Sequence, residues 1–84
     1  MKISNDLVWR KIDNCIVIEH IDDYKSIYTM QGASVLIFEL IEKNYSYNQI
    51  VDSLTDEFGS TYKNQIELDV ENLVHAMKKL QIIV

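Results

Sequence analysis

At Gln31 the hydrophobic period of the chain changes from two to about 3.6, and it changes only once. Before that point three short runs carry strand chemistry: Leu7 to Ile12 (LVWRKI), Cys15 to Ile21 (CIVIEHI) and Ser26 to Met30 (SIYTM). Asp13-Asn14 separates the first two, and Asp22-Asp23-Tyr24-Lys25 separates the second from the third. Asp and Asn tolerate left-handed φ and bond their own backbone, so both links read as tight turns. Three runs joined by short turns describe an antiparallel meander. In so small a sheet the Ser26 to Met30 strand is a candidate open edge, with the unpaired N–H and C=O groups that proteins usually protect.

After Gln31 the chain reads as three helices. Ala33 to Lys43 is apolar on nearly every side, which predicts a central, buried helix ended by Asn44-Tyr45. Ser46 with Gln49 has the spacing of a capping box, and the helix it opens shows Ile50, Leu54 and Phe58 at i, i+4 and i+8 before a stop at Gly59. Ser60 to Lys63 reads as a loop, and Asn64 with Glu67 as a second cap. The last helix carries Ile66, Val70, Leu73, Met77 and Leu80 as a core stripe, and Ile82-Ile83-Val84 forms an extended apolar tail. Strands first and helices after predict an α+β domain with the helices on one face of a three-stranded antiparallel sheet. The 84 residues are expected to form one domain, residues 1–84, with no linker or repeat.

Composition narrows the function. Thirteen acidic and eight basic residues give a net charge of −5, which disfavours phosphate backbones, and Arg10-Lys11 and Lys78-Lys79 are too small to form a basic footprint. The tyrosines and Trp9 lack the interleaved basic residues of a single-strand stacking platform. No apolar run approaches the ~18 residues of a membrane span. The lone Cys15 cannot pair within the chain, which points to a reducing, cytoplasmic setting and to a small core hydrophobe.

Catalytic chemistry is not in evidence. His20 reads as an exposed or half-buried strand residue and His75 as a solvent-side helix residue, and neither is spaced with Cys15 or a carboxylate for zinc. Glu67, Asp69 and Glu71 follow an i, i+2 spacing that diverges on a helix. No phosphate-cradling glycine loop or nucleophile elbow is present. The expectation is a binding protein with no cofactor, no metal and no catalytic residues.

Three stretches carry a resemblance: IYTMQGASVLIFELI, SYNQIVDSL and DVENLVHAMKKLQIIV. In this order, across residues 7–84, they resemble the PqqD-like proteins, recognition elements for the leader peptides of ribosomally made, post-translationally modified peptides. Met30-Gln31 stands where the family has Leu-Asn, Ile37-Phe38 where it has Ile-Trp, and Asp69-Val70, Leu73-Val74 and Met77 follow its last-helix pattern. The chain departs from the family at Gln31, at Asn44 (a glycine after the first helix) and at Gln81 (a glycine before the tail).

The resemblance implies a winged-helix-like fold in which a leader peptide adds to the third strand as a fourth, in a cleft beside the last helix. This is β-augmentation: backbone bonds give affinity and side-chain pockets give specificity. Carried over, the backbone of Ser26, Ile27, Tyr28, Thr29 and Met30 pairs with the peptide. Alternation puts Tyr28 and Met30 toward the helices and Ile27 and Thr29 away from them.

On the last helix the face beside the core stripe, Asp69, Asn72, Ala76 and Lys79 with Leu73 at its boundary, overlooks the cleft. Ala76 leaves room there for an apolar anchor, although alanine is equally an ordinary helix-surface residue. The opposite face, Leu68, Glu71, His75 and Lys78, is the second choice. As an adaptor the protein would pass the precursor to a modifying enzyme, either a radical SAM enzyme or the peptidase and cyclase of a lasso-peptide pathway. The rival readings are a winged-helix transcription regulator, against which the charge argues, and a small structural protein that dimerises through its edge strand.

Overall fold

The computed structural model describes residues 1–84. It places strands β1 (Leu7–Ile12), β2 (Cys15–His20) and β3 (Ser26–Met30) before helices α1 (Ala33–Glu42), α2 (Tyr47–Phe58) and α3 (Lys63–Lys79). The strands form one antiparallel sheet in the order β1-β2-β3. The α+β architecture follows the single change of period at Gln31.

Register explains which sheet face is buried. Ile16 lies opposite Lys11 and Met30, and Ile18 opposite Trp9 and Tyr28, so these side chains share one face. Ile16, Ile18 and Met30 are buried there, and Tyr28 packs half-buried against them. Val17, Thr29 and Cys15 alternate to the other face. Cys15 is therefore half-buried on the outer side of the sheet and is not the core residue the sequence suggested.

One departure from alternation sits in β3. Ile18 pairs with Tyr28 but Glu19 pairs with Ser26, which leaves Ile27 as an extra residue. This β-bulge re-aims Ile27, which packs half-buried against the core and does not follow Thr29 to the open face.

α1 lies at the centre of the core, with Val35, Ile37, Phe38 and Ile41 buried. The Phe38 ring meets Trp9 edge to face, with centroids 5.5 Å apart and planes at 77°. Lys11 Nζ donates to Glu39 Oε1 at 2.9 Å and ties β1 to the outer side of the same helix. α2 begins with the capping box, Gln49 N–H to Ser46 Oγ and Ser46 N–H to Gln49 Oε1. Its buried residues are Ile50, Val51 and Leu54. Phe58 leaves the stripe and is half exposed.

Two further expectations give way at the ends of α3. Ser60–Tyr62 is a 3-10 turn that runs directly into the helix. The chain is already helical at Lys63, so Asn64 lies inside the first turn and no side chain caps the helix. At the other end the stripe Ile66, Val70, Leu73 and Met77 is buried, but the helix stops at Lys79 and Leu80 points outward.

Both α1 and α3 end in the same backbone device. Tyr45 N–H donates to Leu40 C=O and Asn44 N–H to Ile41 C=O. Ile82 N–H donates to Met77 C=O and Gln81 N–H to Lys78 C=O. These are Schellman pairs, and they require the residue after the cap to be left-handed. Asn44 (φ 68°) and Gln81 (φ 60°) take that conformation. At both helix ends a residue with a side chain thus stands where glycine would be unstrained. Gln81→Gly is expected to raise stability by about 0.5–1.5 kcal/mol, because a Cβ in left-handed backbone is strained. A urea midpoint that fails to rise would show that the strain is absent.

The tail is part of the core. Ile82 and Ile83 are buried, Ile83 bridges Ile3, Ser4 N–H donates to Ile82 C=O and Val84 N–H to Lys2 C=O.

Candidate functional site

The outer edge of β3 is unpaired, since only β2 lies beside it. Backbone groups in an antiparallel strand alternate sides, so roughly half of those on β3 face away from the sheet. The strand itself carries no proline or lysine to block pairing. Lys25 and the Asp22-Asp23 pair stand only at its entrance.

Facing this edge is a groove of about 390 Å³. β3 contributes Tyr28, α1 contributes Ala33, Ser34 and Ile37, and α3 contributes Asp69, Asn72, Leu73 and Ala76. Five of the ten residues selected from the sequence therefore meet in one concavity. Of the two α3 faces considered, the one bearing Asp69, Asn72 and Ala76 lines it. Leu68, Glu71, His75 and Lys78 do not, and neither does Lys79, one turn beyond Ala76. Ser26, Ile27, Thr29 and Met30 lie along the strand, with Met30 buried beneath it.

The sequence reading overlooked the first turn of α1. Gly32 (φ 61°, ψ −134°) takes the chain from β3 into α1 within two residues, and that sharp turn sets Ala33, Ser34 and Ile37 beside the end of the strand. The signal was legible as a lone glycine at the change of period.

The groove is built from small or apolar walls with few polar groups. Ala33, Ser34 and Ala76 keep it open, and Tyr28, Ile37 and Leu73 supply apolar surface. Asp69 is its one charged residue, and Gln65 Nε2 donates to Asp69 Oδ1 at 2.8 Å. Tyr47 fixes the helix pair behind it, its hydroxyl donating to the Glu67 carbonyl at 3.3 Å. Partial burial, then the Glu67 and Glu71 carboxylates, hold that hydroxyl above the usual phenol range.

No lysine or arginine lines the groove, and α3 carries three acidic residues (Glu67, Asp69, Glu71) against three lysines at its ends (Lys63, Lys78, Lys79). A helix so charged does not suit a DNA groove. No three His, Cys, Asp or Glu side chains converge to hold a metal ion. No helix is long and apolar enough to cross a membrane. The arrangement can accept an extended chain along β3 and one apolar side chain between β3 and α3.

Comparison with known proteins gives three findings. The family model described as coenzyme PQQ synthesis protein D (PqqD) matches residues 15–83. A solved structure, TbiB1 in complex with the TbiA(beta) leader peptide, superposes with a TM-score of 0.83 at 24% identity, covering 98% of this chain and 93% of that one. Among curated proteins no match was found.

Proposed function

The chain belongs to the PqqD family, and from that premise we propose that it is an adaptor that captures the leader segment of a ribosomally made precursor peptide. The leader adds to β3 as a fourth strand, through the backbone of Ser26 to Met30, and seats an apolar side chain against Tyr28, Leu73 and Ala76. The observation that carries this reading is the pairing of an unpaired sheet edge with an open groove on the same side. The likeness to a protein solved with a leader peptide supports it.

Energetics assign different work to the two parts. A short strand offers a few backbone bonds at about 0.5–1.5 kcal/mol each. Association costs about 4 kcal/mol or more in lost freedom. Backbone pairing alone therefore binds weakly, and the side-chain anchor decides both affinity and identity. Holding the leader raises the effective concentration of the core peptide at a modifying enzyme without chemistry by the adaptor. A radical SAM enzyme or a lasso-peptide peptidase and cyclase fits that role.

The test is a titration of the ¹⁵N-labelled protein with synthetic leader peptides of candidate precursors. Amide shifts are expected at residues 26–30 and 69–79. Shifts elsewhere, or a tight dimer that covers β3 in sedimentation, would overturn the reading.

A further inference from the structure

The sheet turns a largely apolar face away from the helices. Trp9 and Lys11 reach α1, so Val8, Arg10 and Ile12 alternate to the outer side of β1, and Cys15, Val17 and Glu19 do the same on β2. Val8, Cys15 and Val17 are half-buried there, and Ile12 is 47% exposed. Glu19 is the one charged residue of the chain that is buried, at 9% exposure, and it sits on this outer face. Its Oε1 accepts from Arg10 Nε at 3.0 Å, while the Arg10 side chain stays 61% exposed. The terminal nitrogens of the guanidinium make no other hydrogen bond or ion pair within the chain. A buried carboxylate therefore fixes the direction of an exposed arginine fork, and the rotamer freedom already lost is not lost again on binding.

We propose that this outer face docks the modifying enzyme, with Arg10 as the anchor for a carboxylate on that partner's surface. The proposal rests on the leader-capture reading and locates the adaptor's second partner. Arg10 specifies the chemistry. Its unused N–H groups fit a carboxylate, and Val8, Ile12 and Val17 surround them with apolar surface that keeps water from the contact. Continuity with the leader site specifies the occupant. A leader added beside β3 becomes the fourth strand of the same sheet, and its alternate side chains emerge on the outer face next to Thr29. A protein covering this face touches adaptor and leader together, which suits the enzyme that acts on that precursor. A second copy of the chain fits poorly. The middle row of the face runs Arg10, Val17, Thr29, so a two-fold pairing of such faces brings two Arg10 side chains together as like charges.

The experiment uses a purified radical SAM enzyme and a purified lasso-peptide peptidase, each from a pathway whose leader binds in the titration above. Biolayer interferometry measures their affinity for the leader-loaded full chain, as wild type and as two variants. Arg10→Gln/Glu19→Gln removes the anchor without leaving a buried charge unpaired, and Ile12→Asp puts a charge on the apolar surface without touching the ion pair. Urea midpoints check the fold of each. One of the enzymes is expected to bind the loaded wild type, and its affinity to fall roughly 30-fold or more on each variant, the size of an interface hot spot. Leader affinity should stay within about twofold on both, because none of the three positions lines the groove. Unchanged enzyme affinity on both variants, no binding by either enzyme, or an enzyme that the leader displaces would overturn the docking face and leave leader capture standing. A parallel loss of leader affinity would assign Arg10 to the leader site and overturn it as well. Self-association that disappears in the variants would assign the face to a second copy of the chain, with the same consequence. Failure of every leader to bind would overturn leader capture and this inference with it.

Discussion

Replacing Ala76 with Trp is expected to abolish leader binding while leaving the domain folded. Ala76 is half-buried on α3 and lines the groove opposite Tyr28. An indole there occupies the space into which the peptide's apolar anchor would go. Burying one such side chain contributes about 1.5–3 kcal/mol, and steric exclusion also displaces the backbone from pairing distance along β3. Together these predict at least a roughly 100-fold loss of affinity, about 2.8 kcal/mol.

The substituted position opens on a cavity and not on close-packed core, so the urea midpoint should move little. Fluorescence polarisation with a labelled leader reads the affinity, and urea titration reads the fold. Unchanged binding by Ala76→Trp would place the anchor elsewhere. Lys79→Ala is the matched control, because Lys79 follows the same helical face but does not line the groove. Its affinity should stay within about twofold, since an exposed side chain outside the contact contributes little.

Fold and site were legible to different depths, for physical reasons. The change of period at Gln31 predicted the order of elements because strand and helix periodicities differ by nearly a factor of two over many residues. Single-residue geometry was less accessible. Ile27 reads as a regular strand residue, and only its pairing partners reveal the bulge. Leu80 and Phe58 continue their apolar stripes in sequence, yet each stands where its helix ends and the stripe loses its backbone. Asn64 looked like a cap because the sequence does not announce that a 3-10 turn precedes it.

The α3 wall of the groove was readable from helical spacing, since Asp69, Asn72 and Ala76 adjoin the core stripe. The α1 wall was not, because Ala33, Ser34 and Ile37 reach the groove through the sharp turn at Gly32, which periodicity does not encode.

Phe38→Ala tests the other half of the design, the core that holds edge strand and groove in place. Phe38 is fully buried and meets Trp9 edge to face, while its neighbour Ile37 lines the groove, so α1 joins the sheet to the site. Removing a buried Phe ring costs about 3–5 kcal/mol through lost transfer and the cavity left behind. A domain of this size has about 4–13 kcal/mol in all. The variant should therefore lose a large share of its stability. Urea unfolding followed by Trp9 fluorescence should show a much lower midpoint with an unchanged slope.

Because a ligand that binds only the folded state stabilises it by mass action, saturating leader should restore part of the lost midpoint. It should restore none in Ala76→Trp, where the midpoint was never lost and binding was. That crossed outcome separates a core residue from a groove residue. A Phe38→Ala protein with a near-normal midpoint would mean that α1 is not the element that ties the sheet to its groove.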